Sequence, residues 1–206
     1  MNEKELAKHY LNKYETARAL RVSFEDLFQE CYDYALPQRE GFYYNAPGQR
    51  RDDKIFDETA VVGTQEFASR LQSGLVPNFA RWADLLAGSE VPDDERDQIN
   101  NQLDEITEYV FEIIQNSNFG QEVHECFIDL AVGTSCLLIE EGDAVNPVRF
   151  SAIPLPKIVL ETGPDDRIDH VYRIREVRHN NLGITFKNAK FSDRVMQMIE
   201  KQPEKK

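Results

Sequence analysis

The hydrophobic period of this chain changes once, at Gly133, and that change sets its fold class. Before Gly133 apolar residues recur every three or four positions, the spacing of a helix face. After it they come in short β-branched runs separated by Gly, Pro and Asp turns. The pattern predicts an α+β chain, with helices first and a small antiparallel sheet packed against them.

Leu6, Tyr10, Tyr14, Ala17, Leu20, Phe24, Leu27, Phe28 and Cys31 predict one long amphipathic helix, or two broken near Arg21–Ser23, where Ser23 and Asp26 form a weak capping signal. Its aromatic stripe reads as core in preference to a base-stacking platform. Asp57 caps a second helix through Val61, Thr64, Ala68, Leu71 and Leu75, ending near Gly74, and the small residues Gly63, Ala68, Ser69 and Gly74 suit close packing. Pro92 and three acids open a third helix, with Ile99, Leu103, Ile106, Val110 and Ile113 facing inward at a spacing that also suits helix pairing between subunits. A fourth runs from Phe119 to Ala131, with Val123, Phe127 and Leu130 or Ala131 inward. Strands are expected at Ser135–Glu140, Val148–Ile153, Ile158–Glu161 and Ile168–Val177, most simply as one meander. A short helix, Ser192–Glu200, precedes a basic tail that should fray.

Composition narrows the function. With 206 residues and 41% hydrophobic content the chain can bury a core. It has no apolar run near the length of a membrane span, and its charged start is unlike a signal peptide, so a soluble chain made in the cytoplasm is expected. Cys31, Cys126 and Cys136 are widely spaced among apolar neighbours and read as buried free thiols. A net charge of -13 argues against duplex binding by the surface as a whole. From Thr134 onward there are 12 Lys/Arg against 11 Asp/Glu, which leaves 12 against 26, or -14, on Met1 to Gly133.

Catalytic readings fail on spacing. His124, Glu125 and Cys126 are consecutive on a helix and point apart, so no metal is expected. Glu140, Glu141, Asp143, Glu161, Asp165 and Asp166 resemble a nuclease's acidic cluster, but Arg173, Arg175 and Glu176 do not supply the alternating carboxylate and Lys that would hold metal and water. There is no G-x-S-x-G elbow, and His9, His124, His170 and His179 have no positional link to a nucleophile. There is no phosphate-binding G-x-x-x-x-G-K either. The expectation is a non-enzyme without cofactor.

The segment from Leu36 to Leu85 is more telling. Gly41, Asn45, Pro47 and Gly48 divide its first part into turns, Arg50–Lys54 is a mixed-charge run, and LVPNFARWADL carries Phe79 and the only Trp, Trp82, out of the second helix. Leu36-Pro37, the Gly41–Tyr44 loop, Asp57-Glu58-Thr59-Ala60, and Leu75-Val76-Pro77 through Trp82 and Leu85 resemble, in order and spacing, the N-terminal hallmark of the portal, or head-to-tail connector, proteins of short-tailed bacteriophages. GTSCLLIEEG (Gly133–Gly142), VRFSAIPL (Val148–Leu155) and RIDHVYRIREV (Arg167–Val177) extend the resemblance over most of Tyr10 to Val177.

The resemblance implies a mainly helical, wing-like part over 1–133, an antiparallel meander over 134–178, and a short helix with a basic tail over 179–206, cut short before the stem and clip of longer portals. It implies a homo-oligomeric ring, usually of twelve subunits, at one capsid vertex of the virion after assembly in the host cytoplasm. Viral double-stranded DNA would pass through without sequence readout. Terminase, which would supply the packaging energy, capsid or scaffolding protein and tail adaptors would be partners, and no membrane would be involved. Subunit-interface or DNA-facing candidates are Arg39, Phe42, Tyr43, Arg50, Arg51, Phe79, Arg81 and Trp82. The alternative is a stand-alone acidic helical adaptor that binds and regulates another protein; a divergent metal nuclease is a second.

Overall fold

The computed structural model describes residues 2–43 and 55–205. Its chain divides into two units, Met1–Val171 and Tyr172–Lys206. In the first unit four helices, α1 (Glu3–Ala35), α2 (Thr59–Leu75), α3 (Asp93–Asn116) and α4 (Phe119–Leu130), precede strands β1 (Cys136–Glu141), β2 (Val148–Ile153), β3 (Ile158–Thr162) and β4 (Ile168–Arg173), the last running into the second unit. The α+β class read from the period change is the class observed.

The long first helix is continuous. Ser23 does not cap; its hydroxyl donates to the Leu20 carbonyl at 2.8 Å and the helix runs through. A helix of 33 residues is about 50 Å long, more than β3 and α2 cover, so only Ala17 and Tyr32 are buried. Leu20, Phe24 and Leu27 are exposed, and the expected core stripe is thus core only in part.

Asp57 does steer the start of α2, accepting the Thr59 amide at 2.9 Å. The helix packs on α4 and α1 through Thr64 and the fully buried Ala68. A Cβ at Gly63 or Gly74 would meet open space, so close approach is confined to the middle of the helix.

In α3 the inward face differs from expectation. Asp93, Asp94 and Glu95 occupy the first turn as predicted, favourable beside the helix's positive end. But the buried residues are Thr107 and Phe111, while Ile106 and Val110 are 49% and 39% exposed. The cause is the segment before the helix: Thr107 Oγ1 accepts the Leu85 amide at 3.3 Å and Asn100 Oδ1 the Ala87 amide at 2.9 Å. These bonds turn the Asn100–Thr107 flank inward.

Helix α4 is the most deeply packed, burying Val123, Cys126, Ile128 and Asp129. After it, Gly133 donates to the Asp129 carbonyl at 3.2 Å, and a Cβ there would press on the Phe28 ring at 3.2 Å. The strands make two hairpins instead of one meander: β1 pairs antiparallel with β2, from Cys136↔Ile153 to Glu141↔Val148, and β3 pairs with β4. Between β2 and β3 a single 3-10 turn, Leu155–Lys157, buries Leu155 and breaks the ladder. Asp166, at φ 56, supports the tight β3–β4 turn.

The free edge of β2 is satisfied by side chains from α4 and its start. Asn118 accepts the Phe150 amide at 3.0 Å and donates to the Phe150 carbonyl at 2.8 Å, and Glu122 accepts the Ala152 amide at 2.7 Å. Those groups stand in for a third strand and cover an edge that would otherwise be open to pairing. The core lies at this junction: Tyr32, Leu36, Ala68, Ile128, Ile153, Leu155 and Ile158 are mutually packed.

In the second unit a 3-10 turn (His179–Asn181) leads into α5 (Leu182–Thr185) and then α6 (Asp193–Lys201). The tail does not fray as expected. Lys205 and Pro203 carbonyls accept the His179 and Asn180 amides, both at 3.0 Å.

Candidate functional site

Two loops flank α2, and the candidate residues lie on both. The described start of the first, residues 36–43 after α1, is clamped down. Gln29 Oε1 accepts the amides of Phe42 (2.6 Å) and Tyr43 (3.1 Å), one α1 side chain holding two successive backbone groups. Phe42 stacks on Phe28 with centroids 5.5 Å apart, stands edge-on to Tyr32 at 5.7 Å, and lies 5.5 Å from the Arg21 guanidinium. Arg21 also donates to the Pro156 and Ile158 carbonyls at 3.2 and 2.5 Å, tying α1 to the start of β3. Tyr43 donates its hydroxyl to Asp26, a bond that raises the phenol's pKa, while the residue itself stays half exposed.

Arg39 is the most committed of the candidates. Its guanidinium meets Asp129 at 2.8 Å and also pairs with Glu125, while the Tyr32 hydroxyl donates to Asp129 at 2.8 Å. Asp129 is almost wholly buried, and burial raises its carboxyl pKa, with the Arg39 charge and the Tyr32 hydroxyl pulling back against that rise. Burial beside this carboxylate likewise raises Tyr32 above its ordinary value. This is a structural lock: an unpaired Asp129 would be costly, so the loop is held where Arg39 can reach it. Arg50 and Arg51 lie outside the described residues.

The second loop, between α2 and α3, is a strap with both an inner and an outer side. Trp82 stacks on Phe119 (5.9 Å, 17°) and stands edge-on to Phe111 (5.2 Å); Phe119 in turn meets Phe150 edge-on at 5.0 Å. This aromatic chain runs from the strap through the start of α4 to β2, leaving Trp82 38% exposed. Arg81 bridges Asp84 at 2.5 Å and Asp104 of α3, whose bond to it raises the guanidinium pKa. Phe79, by contrast, is 95% exposed, and Leu86 is also largely so.

The structure thus divides the six candidates that lie among the described residues. Phe42 and Arg39 are engaged within the subunit, Arg81 and Trp82 hold the strap, and Tyr43 and above all Phe79 face outward. Sequence reasoning missed Phe56 and Leu86 as exposed apolar surface, whereas the exposed Ile106 and Val110 of α3 belong to the series whose spacing suits helix pairing. The three consecutive residues once considered for metal do diverge: His124 Nδ1 lies 2.9 Å from Gln72 Oε1 of α2, Glu125 pairs with Arg39, and Cys126 Sγ donates to the Cys136 carbonyl at 3.6 Å. Cys31, Cys126 and Cys136 are free thiols, and burial pushes Cys126 up to about 12, leaving it protonated and inert at neutral pH.

Residues 7–206 match the model of the bacteriophage head to tail connecting protein family. The chain belongs to this family. The match spans every block on which the resemblance rested, from the Leu36-Pro37 break to Val177. No curated protein sequence matches the chain. As a member of a head-to-tail connector family it has a structural role joining phage capsid and tail components in the virion. Among the described residues no helix is long and apolar enough to cross a membrane.

Proposed function

We propose that this connector chain is a subunit of a closed portal ring at one capsid vertex, with the strap as a contact between neighbouring copies. The observation that carries the reading is Phe79, a bare aromatic ring on a strap whose flanks are fixed by Trp82 and Arg81. A rigid base lowers the entropy lost when such a side chain is buried by a partner. Closing a ring requires heterologous contacts, one surface of each copy meeting a different surface of the next. The resemblance implies a ring usually of twelve copies. Arg50, Arg51 and the half-exposed Tyr43 are proposed as further contacts to a neighbour or to DNA.

Within such a ring, double-stranded DNA enters and leaves through the centre, and terminase and then tail proteins dock on the ring in turn. The net charge of -13 suits that task, because a conduit that repels phosphate lets the duplex slide without sticking. The role is architectural, with packaging energy supplied by terminase. Light scattering and particle imaging of the purified chain test the reading: rings are expected from the wild type and from Phe79→Ser only monomers or short arcs. Phe79→Ser rings indistinguishable from wild type would remove the strap from the interface.

A further inference from the structure

The face of α3 turned away from the strap carries an apolar seam that is exposed among the described residues. Ile106, Tyr109 (64% exposed) and Val110 form it. Ile106 and Val110 belong to the series Ile99, Leu103, Ile106, Val110, Ile113, whose four-three spacing is that of a helix-pairing face, and Tyr109 lies beside it. Carboxylates border the seam. Between Asp93 and Asn116 there are eight Asp/Glu and one Arg. Asp104 is taken by Arg81 and Asp93 by Arg96, but among the described residues no ion pair engages Glu105, Glu108 or Glu112. Two α3 faces cannot therefore meet each other without setting these rows of like charge together, so the occupant must be a basic and apolar surface.

The same chain carries such a surface. Tyr172–Lys206 contains nine Lys/Arg against four Asp/Glu, a charge of +5, which leaves 15 against 33, or -18, on Met1–Val171. Its helix α6 buries no residue, although Val195, Met196, Met198 and Ile199 give it an apolar side, and Ile184 within α5 and Phe186 just after it are exposed. Methionines adapt readily to a facing helix. We infer that the α3 seam of one copy seats the Tyr172–Lys206 unit of a second copy. The contact is heterologous, as ring closure needs, and the inference rests on the ring reading above. Charge steers it, so it weakens as salt rises.

A reciprocal charge swap tests it. One variant carries Glu105→Lys, Glu108→Lys and Glu112→Lys; the other carries Lys187→Glu, Lys190→Glu and Arg194→Glu. Each alone sets like charge against like, and association should fall at least about tenfold. Mixed, each variant's altered surface faces the other's complementary one, and assembly should return. Sedimentation velocity at low salt reads the outcome, with circular dichroism checking that each variant is folded. Rings from either variant alone at wild-type affinity, or variants that stay apart when mixed, overturn the seat while leaving the ring reading standing. A wild-type chain that is monomeric overturns both.

Discussion

Helices α3 and α4 are neighbours in sequence and differ in almost every physical respect. The first has 24 residues and buries only Thr107 and Phe111; the second has 12 and buries Val123, Cys126, Ile128 and Asp129. Helix α4 is surrounded by α2, β1 and β2 and completes a sheet edge with its own side chains, whereas α3 is held on one side by a strap. Both are strongly helical by sequence. What differs is the number of neighbours, and the contrast separates residues that maintain the fold from residues left exposed.

Substitutions sharpen that contrast. Ile128→Ala on α4 should cost about 3 kcal/mol, because the site is closed on all sides and cannot collapse, whereas Ile106→Ala on α3 should cost under about 1 kcal/mol. Urea denaturation of both compares them directly, and equal losses would mean that the α3 seam is packed in the isolated subunit. A smaller effect is expected from Asn118→Ala. It strands the Phe150 amide and carbonyl at the β2 edge, at about 1 to 2 kcal/mol, and should speed amide exchange at Phe150 well before it affects Leu138 on β1.

The finest probe is pH. Burial raises the Asp129 carboxyl above its ordinary 3.8, so its contribution to folding is greatest below that value, where folded and unfolded chains are both protonated. As pH climbs, the unfolded carboxyl gives up its proton first, and wild-type stability falls until the folded carboxyl has also ionised. Asp129→Asn lacks this slope. Urea midpoints of the two proteins between about pH 4 and about pH 7 should converge or cross as pH rises; parallel curves would show that Arg39 fully offsets the burial of the charge.

The flanking loops teach a related lesson about the candidate residues. Turn residues, an aromatic cluster and isolated arginines marked both loops as candidates for contact with a neighbour or DNA, and both make contacts within the subunit. Yet Arg39 and Phe42 make their contacts inside the subunit, because Asp129 lies 90 positions after Arg39 and Phe28 lies 14 before Phe42, separations over which sequence spacing carries no signal. Phe79 and Trp82, three positions apart, differ in exposure for the same reason: Phe119 and Phe111 receive Trp82, while among the described residues Phe79 stays 95% exposed.

The sequence by itself determined the four long helices, the cores of the four strands and the last helix, since hydrophobic period, the Asp57 side chain before α2, the Pro92 start and the Gly133 stop act within a few residues of where they stand; α5 and the end of β4 it did not determine. It also carried the family, through short blocks in register. Only the tertiary structure decided which helix faces are inside. A period of three and four fixes the width of an apolar stripe, but its bearing depends on partners: Leu85 and Ala87 rotate α3 onto Thr107, leaving Ile106 and Val110 outside. It also split the strands into two hairpins, because burying Leu155 in the core outweighed continuing the ladder from β2 to β3. Local signals select conformation, whereas burial is settled by residues that meet only after the chain has folded.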